Sequence, residues 1–127
     1  MAACIVDVIA LRGVRAYGRH GVTQAERARE QPLDIDVVLE VDLRAAAASD
    51  ALADTIDYDE LHRRVVEIVR TTSFALLERL ANELTQSILR DPRIASVRIA
   101  IGKPALLDGA TPVVELRRTN SAFVQRP

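Results

Sequence analysis

The chain has 127 residues, 17 Lys+Arg against 18 Asp+Glu and a formal net charge of -1, so it lacks the basic excess that marks a nucleic-acid-binding domain. With 49% hydrophobic residues, it reads as one globular domain that buries its own core and not as a disordered segment. A single cysteine, Cys4, excludes an intrachain disulfide framework, and no apolar run nears the ~20 residues that span a bilayer. Met1 to Asp7 lacks the charged and apolar regions of a secretory signal, so a cytoplasmic setting is expected.

Ile5 to Tyr17 reads as the first strand, apolar on both faces, and Gly13 predicts a bulge or bend within it. Arg19-His20-Gly21 opens a polar loop that runs to Gln31. Asp34 to Leu43 is the clearest strand: Ile35, Val37, Leu39, Val41 and Leu43 fall on one face and Asp34, Asp36, Glu40 and Asp42 on the other. Strict period two predicts a half-buried antiparallel strand. Arg44 to Asp50 is an Ala-rich connector.

Asp57, with Glu60 three residues on, predicts a capped helix to about Arg70. Its buried stripe is Tyr58, Leu61, Val65, Ile68 and Val69. A second helix is expected from Ser73, a plausible cap, to Leu89, with Leu77, Leu80, Leu84 and Ile88 at helical spacing. Asp91-Pro92 ends it. Ala95 to Ile101 alternates as a third strand up to Gly102-Lys103-Pro104, and Val113 to Arg118 makes a fourth after a turn at Asp108-Gly109. The order β-β-α-α-β-β predicts an α+β layer, an antiparallel four-stranded sheet with two helices on one face. Such a sheet leaves its edges open, which invites assembly. Asn120 to Pro127 is polar and reads as a frayed tail.

Among candidate chemical groups Lys103 stands first. Sixteen of the 17 cations are arginine and one is lysine. Arginine does not deprotonate in a protein whereas lysine can, so the lysine that survives such a bias is a candidate for proton transfer. Its place at a strand end, in a loop beside a rigid scaffold, strengthens that reading. Glu78 in the first turns of the second helix is ordinarily a partner of the helix dipole. Its functional reading is an anchor for an N-C-N edge, which a carboxylate grips with two parallel hydrogen bonds, as it grips guanidinium. Guanine and pterin rings present that edge. Glu26 lies in an alternating-charge loop, and His20 reads as a structural or solvent-facing loop histidine, with a general base as the sharper alternative. His62, flanked by arginines, looks exposed. Cys4 has no activating neighbours, and the chain has no phosphate-cradling Gly-rich loop, GxSxG or HExxH.

Taken in order, these stretches resemble the dihydroneopterin aldolase family. The matching pieces are Tyr17-Gly18-Arg19-His20-Gly21-Val22 with Glu26 and Gln31, the Asp34 to Leu43 strand, Ser49-Asp50 through Asp54-Thr55-Ile56-Asp57-Tyr58, Leu76-Leu77-Glu78-Arg79-Leu80-Ala81, and Lys103-Pro104. The resemblance implies a tunnelling fold whose sheets join side by side into a ring of four, two rings stacking into an octamer, with sites between neighbours. It implies retro-aldol cleavage of dihydroneopterin to 6-hydroxymethyl-dihydropterin and glycolaldehyde in folate synthesis, with accompanying epimerisation. Glu78 would hold the pterin's amino-pyrimidine edge, assisted by the Leu77 backbone. Ile56 and Tyr58 would line the ring's pocket, Tyr58 coming from the neighbouring subunit and aiding proton transfer. Lys103 would act through water as general acid and base, and Glu26 would position it. The resemblance implies a small-molecule pterin substrate, no cofactor, no metal, no Schiff base, no nucleic acid and no membrane partner. Two segments depart from the family pattern: Glu30-Gln31 replaces Gly-Gln, and Ala105-Leu106-Leu107-Asp108-Gly109 replaces a Pro-Ile-Pro-like segment after Lys103-Pro104. The alternatives are an epimerase of dihydroneopterin triphosphate, with Arg19, Arg27 or Arg29 meeting the phosphates, and a pterin- or purine-binding relative without catalysis.

Overall fold

The structure, a computed structural model, describes residues 7–125. Cys4 and the start of the first expected strand, Ile5 and Val6, lie outside the described residues. The four expected strands form: β1 (Val8–Gly18), β2 (Gln31–Val41), β3 (Ile94–Gly102) and β4 (Val113–Thr119). They make one antiparallel sheet in the order β1-β2-β3-β4. The bulge predicted at Gly13 is present: pairing with β2 slips between Leu11 and Val14, and Gly13 takes a φ of +70° that favours glycine.

Two long helices cover one face, α3 (Tyr58–Thr71) and α4 (Leu77–Ile88). Two short helices precede them, α1 (Gln24–Arg27) and α2 (Arg44–Ser49), where a loop and a connector were expected. Both have a local cause. Thr23 and Glu26 form a reciprocal capping box around α1, and four consecutive alanines carry the highest helix propensity into α2. A turn of 3-10 helix, Leu52–Asp54, leads to α3.

Leu61, Val65 and Val69 of α3 and Leu80, Leu84 and Ile88 of α4 are buried against the inward residues Ile35, Val37, Leu39, Val97, Ile99 and Ile101. Each fully buried side chain of this kind stabilises by roughly 1.5–3 kcal/mol. The outward face is polar and laced together: Arg15 bonds Asp34, Arg117 bonds Glu40, which also takes the Ser96 hydroxyl, and the Gly13 amide donates to Asp36.

Three further expectations are corrected. Ser73 does not cap α4, which begins four residues later; its hydroxyl donates to the Arg19 carbonyl instead. Tyr58 is not on the buried stripe but 63% exposed, because the first turn of α3 overhangs a cavity that none of the described residues fills. Asn120, expected to open a frayed tail, is tied down: its amide donates to the carbonyls of Leu89, Asp91 and Ile94 at 3.1, 3.1 and 2.9 Å. Among the described residues no helix is long and apolar enough to cross a membrane.

Candidate functional site

Lys103 follows the last residue of β3, and its amide donates to the Pro112 carbonyl, which folds the β3–β4 loop back over it. The residue is 8% exposed. Burying an ammonium is costly unless it is paired and hydrogen-bonded. The pair is supplied by Glu26: Lys103 Nζ donates to Oε2 at 2.7 Å. The other carboxylate oxygen, Oε1, receives the Thr23 amide and hydroxyl at 3.3 and 3.2 Å. One carboxylate therefore caps α1 with one oxygen and holds the lysine with the other. The bond from Lys103, then those from Thr23, pull the Glu26 carboxyl below its ordinary range. Gln31 adds an amide bond to the Glu26 carbonyl at 2.9 Å.

Gly21 is required here. A methyl group on it would collide with Glu26 Cβ and would sit 2.7 Å from its Cδ and 2.8 Å from its Oε2. The preceding residue, His20, is 1% exposed, so the alternatives of a solvent-facing loop histidine and a general base both fall away. Its Nδ1 accepts from the Phe74 amide at 3.0 Å, which assigns the proton to Nε2, and Nε2 donates to the Val69 carbonyl at 2.9 Å. Burial and then the nearby Lys103 ammonium lower its pKa, against the Val69 carbonyl, which raises it. Gly21 returns an amide bond to the Phe74 carbonyl at 3.0 Å.

From Phe74 the chain runs directly into Leu77 and Glu78, the first two residues of α4. Leu77 is half-buried and Glu78 exposed. The N-terminus of α4 has no side-chain cap, so its positive dipole end is open to an acceptor. Arg79 turns away from Glu78, pairing with Glu83 at 2.8 Å and lying 4.7 Å from the Phe74 ring centre. Among the described residues no hydrogen bond or ion pair engages the Glu78 carboxylate.

Ile56 and Tyr58 lie elsewhere. Ile56 is 8% exposed and Tyr58 protrudes. Both line a cavity of about 520 Å³ with Ile9, Leu43, Ala46 and Leu52. Ile9 belongs to the end of the sheet opposite Lys103, and Leu43 lies just past β2 at that end, since Asp34 pairs with Gly102 while Ile9 pairs with Leu39. The α3 helix gives the separation: from Tyr58 to Val69, which touches His20, are eleven residues, or roughly 17 Å at ~1.5 Å each. Of the six candidate residues, one subunit thus groups Lys103, Glu26, Leu77 and Glu78 around one end and puts Ile56 and Tyr58 at the other.

Of the arginines offered for phosphates, two are already engaged: Arg19 donates to the Ala28 carbonyl at 2.6 Å, and Arg27 to those of Gly21 and Val22 at 2.8 and 2.9 Å. The sequence reading missed Thr23, whose T-x-x-E spacing is a recognisable capping signal. It also missed Arg93, which is paired with Asp91 and donates to the Thr55 carbonyl at 2.9 Å, one residue before Ile56. Nothing in the local sequence signals that contact, which joins positions 38 residues apart.

A family model described as dihydroneopterin aldolase matches residues 9–117. A dihydroneopterin aldolase of Streptomyces coelicolor is 38% identical over 99 residues, 78% of this chain and 83% of that protein. Among solved structures, an E. coli dihydroneopterin aldolase in complex with neopterin superposes with a TM-score of 0.84 at 32% identity, over 89% of this chain and 99% of that one. A Burkholderia thailendensis dihydroneopterin aldolase bound to guanine gives a TM-score of 0.76 at 27% identity, over 89% and 90%.

Proposed function

The chain belongs to the dihydroneopterin aldolase family, and on that premise we propose which of its residues do what in cleaving dihydroneopterin to 6-hydroxymethyl-dihydropterin and glycolaldehyde. The observation that carries the reading is the Lys103–Glu26 pair: the chain's one lysine, 8% exposed, is held 2.7 Å from a carboxylate beside the helix that presents Glu78.

The pterin's N-C-N edge docks on the Glu78 carboxylate, whose oxygens accept two parallel hydrogen bonds, with the Leu77 backbone completing the edge. In its neutral amine form, reached by releasing one proton to water, Lys103 takes through a bridging water the proton of the side-chain hydroxyl on the far side of the scissile bond and becomes an ammonium. That hydroxyl becomes the aldehyde carbonyl as the C–C bond breaks. The bond's electron pair passes into the conjugated imine of the dihydropterin ring, and the carbon left on the ring then takes a proton back from the same relay. The ring stores the electrons between the two transfers, so acid/base groups suffice and we propose a metal-independent mechanism. Glu26 keeps the ammonium in place and balances its charge while the proton moves.

Tyr58 and Ile56 reach this pterin from the next subunit. What supports the assembly is the ~17 Å between the two groups of residues along α3 and the open edges of β1 and β4. Exposed Val8 and Val113 lie on those edges, and exposed Tyr58 overhangs its cavity. A ring of four, with two rings stacked, would pair the edges and close the sites, and we place this assembly in the cytoplasm.

The direct assay incubates the protein with dihydroneopterin and follows both products; no cleavage, or epimerisation of the triphosphate alone, would sink the aldolase assignment. The shared site is tested by mixing. Tyr58→Ala and Lys103→Met are each expected to be inactive, while rings assembled from equal parts of both regain about a quarter of the sites, because each site draws on two subunits. No recovery would place both residues in one subunit's site.

A further inference from the structure

We propose that His20 is a positioning residue: its imidazole fixes the distance between the Lys103–Glu26 pair and the Leu77–Glu78 anchor by bonding the segment that joins α3 to α4. This rests on the site assignment above and adds a group that neither pair contains.

The linkage is continuous. Lys103 is bonded to Glu26, and Glu26 packs on the bare face of Gly21. Gly21 and His20 together hold Phe74 through both of its backbone groups, one by an amide-to-carbonyl bond and the other by Nδ1 accepting the Phe74 N–H. The Phe74 ring lies 5.8 Å from the imidazole and receives the Arg79 guanidinium on its face. Three residues on from Phe74, α4 begins with Leu77 and Glu78. The second ring nitrogen anchors the imidazole itself to the last turns of α3, through the Val69 carbonyl. Gly18 backs this arrangement, since a methyl group there would meet the Val69 carbonyl at 2.5 Å and the imidazole at 2.8 Å.

The job suits a neutral imidazole. It needs an acceptor on one edge and a donor on the other, held in one rigid plane, at a fully buried position. Protonation would turn Nδ1 into a donor facing the Phe74 N–H and break the link. The charges around the ring are the Lys103 ammonium with Glu26 beside it and Arg79 across Phe74. Arg70 at the end of α3 is exposed and paired with Glu67, and Arg19 is engaged with Ala28. Burial and Lys103 both favour the neutral form.

The test uses two partial mimics. His20→Asn keeps an acceptor at the Nδ1 position for Phe74 and loses the donor to Val69; His20→Gln does the reverse. With dihydroneopterin as substrate and neopterin as the binding probe, His20→Gln is expected to lower kcat at least about tenfold, with neopterin affinity within about threefold of wild type, a misplacement effect confined to the chemical step. His20→Asn is expected to keep kcat to within about threefold of wild type, and to lack the acid limb that the wild-type kcat profile is expected to show. Equal kcat losses in both variants that track their unfolding temperatures, or kcat and affinity falling together, would overturn the proposal. The wild type also reports directly by ¹⁵N NMR. His20 should carry its proton on Nε2 and titrate with the acid limb of kcat, and a limb that does not follow His20 would overturn it as well. A wild type that binds neopterin but does not cleave would overturn the aldolase reading and this proposal together; cleavage with the wrong pattern of variants overturns this one alone.

Discussion

Gly21→Ala places one methyl group in the most crowded point of the site. The added carbon meets Glu26 Cβ, and lies 2.7 Å from its Cδ and 2.8 Å from Oε2. Comfortable carbon contacts are ~3.5–4.0 Å, so the Glu26 side chain must retreat by about 0.8 Å or more. It has no free direction. Oε1 is held by the Thr23 amide and hydroxyl and Oε2 by Lys103. Retreat stretches the 2.7 Å bond to Lys103 to roughly 3.5 Å, where a hydrogen bond is largely lost. Overpacking of this size costs about 1–3 kcal/mol, less than the ~5–15 kcal/mol that holds a typical domain together. The variant therefore folds, with a lower unfolding temperature. A displacement of about 1 Å in a catalytic group can cost about 100-fold in rate, so kcat for dihydroneopterin is expected to fall by about that factor while neopterin affinity holds. Kinetics, thermal unfolding and a neopterin titration on one preparation decide it. A kcat near the wild-type value would refute the claim that Glu26 has no room and that its contact with Lys103 sets the rate.

Lys103→Arg keeps the charge and the pairing to Glu26 but removes a group able to deprotonate to a neutral base, so cleavage is expected to fall by ~100-fold or more with the assembly mass and neopterin affinity unchanged; residual activity near wild type would remove Lys103 from proton transfer. Glu78→Ala is expected to weaken neopterin binding by about 10- to 150-fold, the worth of a lost hydrogen bond to a charged group at ~1.5–3 kcal/mol, and calorimetry showing unchanged affinity would reject its anchoring role. The Glu26 carboxyl titrates below its ordinary 4.5 because Lys103 and Thr23 favour its charged form. Its contribution to stability is therefore full above pH 4.5 and lost as pH falls through the lower folded value. Unfolding temperatures of wild type and Glu26→Gln measured from pH 6 to 3 should converge at the acid end, and a constant difference would contradict that linkage. Asn120→Ala leaves three carbonyls between α4 and β3 without their shared donor. It is expected to cost about 1–3 kcal/mol without changing neopterin affinity, as denaturant titration and binding on the same variant will show.

The sheet and its two covering helices follow from local periodicity. The alternation in Ile35 to Val41 and the spacing of four between Leu61, Val65 and Val69 each give one apolar face, and packing the helices on the sheet buries both. Lys103 could be singled out for a chemical reason: in a chain where arginine serves as the cation, a lone lysine is a candidate for proton transfer. Glu26, Tyr58, Ile56, Leu77 and Glu78 were named as candidates through the family pattern of ordered short stretches. The tertiary structure decided what those groups face. Glu26 is bound to Lys103 across 77 residues of sequence, and no periodicity or cap signal encodes a contact of that range. His20 sits in a stretch that reads as a polar loop, yet the fold buries it, because Val69 and Phe74 arrive from 49 and 54 residues away to satisfy both ring nitrogens. Tyr58 belongs by spacing to a buried stripe but stands exposed, since a stripe states which residues share a face and not whether the subunit supplies anything to cover it. Sequence fixes such local preferences because they depend on neighbours a few residues apart. The partners of buried polar groups, and the ~17 Å that divides the candidate residues between two ends of the subunit, arise only when distant segments meet.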